Sequence, residues 1–121
     1  MKLLFVYNVN SGLLDRLLDN THKIVSPATY DCNLCTITYG SFTEDALWKA
    51  FRMNSGVEME FYHKDEFKKK FASKWLPKFS FPAVLIPTNG ELELFIPSEL
   101  LNEMSSSEEL IETIKKHLAL H

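Results

Sequence analysis

Two cysteines three positions apart, in Cys32-Asn33-Leu34-Cys35, are the residues of this chain best suited to chemistry, and it contains no other cysteine. Thiol–disulfide exchange needs a thiolate to attack and a second thiol close by to resolve the mixed disulfide, and two intervening residues allow both roles. Cys32 is then the nucleophile if it is the more exposed, N-terminal thiol, and Cys35 resolves. A free cysteine titrates near pKa 8.5, and a helix N-terminus or a nearby cation lowers this. Asp31 as an N-cap would place Cys32 in a first helical turn, although its own charge opposes thiolate formation. The same pair suits a metal. Zinc takes four nitrogen, sulfur or oxygen ligands in a tetrahedron, and Cys32, Cys35, His22 and His63 make a numerically complete set without a second paired half-site. A third reading makes the thiols small buried hydrophobes in a non-catalytic binding module. His117 and His121 are expected to be solvated.

Other chemistries find little here. There is no Gly-x4-Gly-Lys-Ser/Thr or Gly-x-Gly-x2-Gly phosphate loop, and no Ser-His-Asp or paired-carboxylate arrangement that spacing alone nominates. The lysines Lys64, Lys68, Lys69, Lys70, Lys74 and Lys78 gather on and around one expected helix, either as a solvated outer face or as a docking surface for an acidic partner. With 45% hydrophobic residues, 24% charged and a net charge of -3 over 121 residues, the composition is that of one soluble domain. The mild acidity argues against nucleic acid as a partner. No run is long enough for a membrane span. Leu3-Leu4-Phe5-Val6-Tyr7 is too short for a signal-peptide core of about seven to fifteen residues. The expected location is cytoplasmic, where a Cys pair is redox-active, metal-bound or free rather than a permanent staple.

The elements that must position these residues follow from periodicity. Residues 3–9 read as a buried strand. Leu14, Leu17, Leu18 and Thr21 place a helix over 12–24, ended by Pro27. Thr36-Ile37-Thr38-Tyr39 favours extended chain. Ser41 to Glu44 reads as a capping box opening a helix that turns Leu47, Trp48 and Phe51 inward and stops near Asn54-Ser55-Gly56. Val57, Met59 and Phe61 alternate as a half-buried strand. Phe67, Phe71 and Trp75 set a helix over about 65–75. Residues 83–86 suit a central strand buried on both faces. Asn89-Gly90 signals a tight hairpin returning through Leu92, Leu94 and Ile96, with Phe95 on the other face. Ser106 to Glu109 caps a last amphipathic helix through Leu110, Ile111, Ile114 and Leu118.

Strands alternating with helices, then a hairpin, imply an α/β protein: a central mixed sheet of about four strands with helices on both faces, as one domain over 1–121. The series Phe81-Pro82-Ala83-Val84-Leu85-Ile86, Asn89-Gly90-Glu91 and the helix from Glu109 to Leu118 resembles the thioredoxin-like superfamily, which places a proline just before a buried strand, then a turn, a last strand and a helix. The resemblance implies a three-layer thioredoxin-like fold, with protein thiols or disulfides as partners and Phe81 and Pro82 as the surface that holds a disulfide substrate; the alternative is that Pro82 only enforces the turn from loop to strand. The position directly after the first strand, where thioredoxins carry their Cys pair, holds Asn8-Val9-Asn10-Ser11-Gly12. The Cys pair lies in an apparent insertion, residues 26–42. The run Ser26-Pro27-x-Thr29-Tyr30-x-Cys32-x-Leu34-Cys35-x-x-Thr38-Tyr39-Gly40 resembles the hallmark of a small bacterial-type branch of that superfamily, from which a fold carries over but not an activity.

Chain length bears on where the Cys pair goes. A helix over 12–24 carries the chain roughly 18–20 Å from the first strand's end. Val25 to Asp31 span at most about 23–25 Å when extended, so a return to Pro82 is nearly taut. The expectation is a Cys pair away from Pro82, at the far end of the first helix or flanking the sheet.

Overall fold

The structure, a computed structural model, describes residues 1–8, 32–39, 44–71, 80–88 and 90–120. The strands are β1 (Lys2–Val6), β2 (Glu58–Tyr62), β3 (Ala83–Thr88) and β4 (Glu91–Ile96). They form one mixed sheet in the order β2-β1-β3-β4. β1 runs parallel to β2, with Val6 opposite Tyr62. It runs antiparallel to β3, with Val6 opposite Ala83. The two central strands are the two continuous apolar runs of the sequence, and Leu3 to Val6 and Ala83 to Ile86 are buried throughout. The period of two sorts them by face. Leu3, Phe5, Tyr7, Val84 and Ile86 face one apolar cluster, while Leu4, Val6, Ala83 and Leu85 face another.

Five helices lie among the described residues: α1 (Asn33–Tyr39), α2 (Ala46–Asn54), α3 (Lys64–Lys70), α4 (Ser98–Glu103) and α5 (Ser107–Leu120). Leu34, Ile37, Trp48, Leu101, Leu110 and Ile114 place α1, α2, α4 and α5 over the first face. Phe67 places α3 over the second. The fold is therefore α/β with a four-stranded mixed sheet covered on both faces.

Several local expectations change. Thr36 to Tyr39 are helical, not extended. The hydroxyls of Thr36 and Thr38 donate back to the carbonyls of Cys32 and Leu34 at 3.2 and 2.7 Å, and Ile37 is buried. Burial and back-bonding thus outweigh the β preference of branched residues. The N-cap of helix α2 lies four residues after Ser41, at Asp45, which accepts from Trp48 N–H. Leu47 is 60% exposed, because the inward stripe runs through Trp48 and Phe51. Helix α3 ends at Lys70; Trp75 and the helix expected over 12–24 lie outside the described residues. α4 carries no expectation from the sequence.

The hairpin is as expected. Thr88 pairs with Glu91 across a two-residue connection, and Gly90 takes φ +82°, which glycine adopts without a Cβ penalty. β4 departs in one respect. Leu85 pairs with Leu94 but Val84 with Ile96, so Phe95 is the extra residue of a bulge. Phe95 and Ile96 consequently enter the same cluster. Leu92 packs on the other face, and Leu94 is 46% exposed. In α5, Leu110 and Ile114 are buried and Ile111 and Leu118 pack against the cluster, as the periodicity predicts.

Candidate functional site

Cys32 and Cys35 are joined in a disulfide with their Cα atoms 5.3 Å apart. Cys32 stands immediately before α1, and Cys35 lies in its first turn. Two backbone donors converge on Cys32 Sγ, the N–H of Cys35 and that of Asn8, each at 3.3 Å. Such donors stabilise negative charge on a sulfur when the bond is reduced. Both cysteines are 1% exposed and belong to the larger apolar cluster.

The contact with Asn8 fixes the pair's place in the fold. Asn8 lies two residues beyond Val6, and Val6 stands opposite Ala83, the residue after Pro82. The Cys pair therefore lies at the end of the sheet at which Phe81-Pro82 enters β3, but it flanks the sheet on the face of Leu3, Phe5 and Tyr7, while Phe81 packs on the opposite face. The Phe81–Pro82 bond is cis. Pro82 is buried and Phe81 half-buried, and Phe81 packs edge-on to Phe67 at 5.5 Å, on the α3 face. The expected insertion divides accordingly: its residues 33–39 are a core helix, and 26–31 and 40–42 lie outside the described residues.

His63 follows β2 at this same end of the sheet. Its Nδ1 is 2.8 Å from Glu66 Oε1, and its backbone N–H donates to the same oxygen at 2.9 Å. It caps α3, and its ring lies 6.2 Å from that of Tyr7. These two hydrogen bonds, the backbone one first, hold the Glu66 carboxyl below its usual range. Among the described residues no zinc set is assembled: the two sulfurs are bonded to each other and no cluster of three or more His, Cys, Asp or Glu occurs there, while His22 lies outside them. His117, expected to be solvated, is half-covered; it donates from Nδ1 to Thr113 O at 2.9 Å and lies 5.4 Å from the Phe95 ring.

Of the lysines, Lys68, Lys69 and Lys70 form an exposed face of α3, where their charges complement the helix C-terminus. Lys70 donates to the Tyr62 hydroxyl at 3.1 Å. No helix among the described residues is long and apolar enough to cross a membrane.

Sequence reasoning missed one residue at the site. Asn33, between the cysteines, donates from Nδ2 to the carbonyls of Leu101 and Met104 at 2.6 and 2.7 Å. Nothing local signals such a long-range partner. The helix it meets does have a signal, Pro97-Ser98-Glu99, a proline and an acidic residue at a helix start.

Compared with protein-family models, curated proteins and solved structures, the chain matches none of them.

Proposed function

We propose that the chain is a small thioredoxin-like protein whose Cys32/Cys35 pair cycles between dithiol and disulfide, exchanging with protein thiols or disulfides in a reducing, cytoplasmic compartment. The observation that carries this reading is the disulfide at the sheet end where Phe81-Pro82 enters β3. The strand order β2-β1-β3-β4, with the antiparallel hairpin and α5 following Pro82, supports the superfamily resemblance. Cys32 is the nucleophile, because its sulfur collects both backbone N–H donors. Phe81 and Pro82 shape the surface that a partner meets.

A second reading has an observation of its own. Both sulfurs are buried, as in a structural bridge. Its weakness is the spacing of three residues between the linked positions. A disulfide stabilises chiefly by closing a loop in the unfolded chain, and so short a loop contributes only about 2 kcal/mol in the chain-entropy model.

Equilibration against a graded glutathione buffer separates the two. The redox reading expects a reversible two-electron transition with a midpoint inside the physiological glutathione range, abolished by Cys32→Ser. A disulfide that reduces only far below about −300 mV, the range of structural bridges, would instead establish the structural role.

A further inference from the structure

We propose that Asn33 is a positioning residue that couples the redox state of Cys32 and Cys35 to the docking of helix α4, an inference that rests on the redox reading above. Its two side-chain hydrogen bonds, at 2.6 and 2.7 Å, cross 68 and 71 residues of chain. They end on the carbonyls of Leu101 and Met104, at the close of α4. The last carbonyls of a helix have no partner within it. α4 has no basic residue in its last turn, and its C-cap, Met104, returns only one backbone N–H, to Leu101 O. Asn33 therefore caps this helix from outside it.

The cap comes from within the thiol loop. Asn33 follows Cys32 directly and opens α1, the helix in which Cys35 N–H reaches Cys32 Sγ. Leu34, Cys32 and Cys35 share one apolar cluster with Leu101 and Met104. With the Asn33 side chain anchored on α4 and Leu34 in the core, both residues between the cysteines are fixed. Fixing them keeps the two sulfurs together and raises the effective concentration of each toward the other.

Coupling of this kind is reciprocal. If the clamp favours the disulfide over the dithiol, its loss makes the disulfide easier to reduce, and reduction in turn loosens α4. The reaction itself is ordinary exchange. One glutathione thiolate attacks the disulfide and forms a mixed disulfide, releasing one cysteine thiolate. A second glutathione thiolate attacks the glutathione sulfur of the mixed disulfide and releases the other cysteine; the two glutathiones leave joined as glutathione disulfide, having together supplied the electron pair, while both cysteines take up protons. Asn33 makes and breaks no covalent bond in either step; it shifts the equilibrium.

The test has two arms on the full chain. In glutathione buffers, Asn33→Ala is expected to make the pair about tenfold easier to reduce, about 30 mV less negative, and Asn33→Gln to restore most of that difference. A cap with no coupling would weaken both redox states equally, leaving the midpoint within twofold of the native protein's and overturning the proposal. In the native protein, reduction is expected to speed amide exchange at Leu101 to Met104 at least tenfold more than at Leu4 and Leu85, whose central-strand amides report the global loss of stability. An α4 that speeds up no more than Leu4 and Leu85 overturns the proposal even where Asn33→Ala does not fold. If the native pair proves unable to cycle, the proposed function fails by itself. The coupling is then read in a Cys32→Ser, Cys35→Ser variant, where α4 exchange sped beyond that of Leu4 and Leu85 upholds it and an equal change ends it.

Discussion

Asp45 joins three elements through one short side chain and its backbone. Its N–H donates to Thr38 O at the end of α1 at 2.6 Å, and its Oδ2 accepts the Trp48 N–H at 3.1 Å and the Ser107 hydroxyl at 2.5 Å. The Ser107 hydrogen bond, followed by backbone N–H donors, holds the carboxyl below its ordinary range against the opposing effect of burial. A carboxyl depressed in the folded state stabilises the protein above its unfolded pKa of about 3.9, and that contribution is lost as pH falls through the lower folded value. Asp45→Ala is expected to cost about 1–2 kcal/mol near neutrality, the range of a strong N-cap. The gap from the native protein should narrow below about pH 4 in urea melts, and a gap independent of pH down to pH 2 would remove the carboxylate from the account. The capping-box pattern placed this cap at Ser41, and Asp45 was not considered. Local pattern favoured Ser41 because Glu44 lies three residues on. Glu44 instead takes a bidentate pair with Arg52, at 2.8 Å to each nitrogen, and is not available to a capping box.

At the scale of elements, what was legible tracks how much of an element's stability is local. β1 and β3 were readable because burial on both faces leaves an unbroken apolar run, and the β3–β4 hairpin because Gly90 needs a positive φ. The end of α2 was readable for the same reason: Gly56 follows the C-cap Ser55 with φ +77°. A Cβ there would meet no atom within 4 Å, so Gly56→Ala tests the backbone alone and is expected to cost about 1 kcal/mol. A neutral result in a denaturant melt would show that the residue leaves the left-handed region without penalty. α1 was illegible because its stability is not local. Thr36, Ile37 and Thr38 disfavour helix by themselves, and what holds them is the buried seat of Leu34 and Ile37 together with the Thr38 hydroxyl on Leu34 O. Thr38 is fully buried. Thr38→Val keeps its shape while deleting that hydrogen bond, and should lower stability by about 0.5–1.5 kcal/mol.

At the scale of the whole molecule, sheet order decides what chain length could not. Chain length alone makes a return from the first strand through residues 12–31 to Pro82 nearly taut. The strands put the Cys pair at the Asn8 end of the sheet, buried in the cluster on the face of Leu3 and Phe5. Two apolar clusters, one on each face of β1 and β3, make up the core, and the bridge is part of the larger one. Reduction measures the bridge's share. Releasing a disulfide between positions three apart costs about 2 kcal/mol. Against an unfolding entropy of about 2.1 cal/mol/K per residue, that is a fall in Tm of about 8 °C for a chain this size. The reduced protein is expected to melt cooperatively at that lower temperature with its far-ultraviolet circular dichroism unchanged. Loss of the cooperative transition on reduction would mean that the bridge, and not the packed sheet, holds the fold, and a protein so dependent on its disulfide could not use that disulfide for exchange.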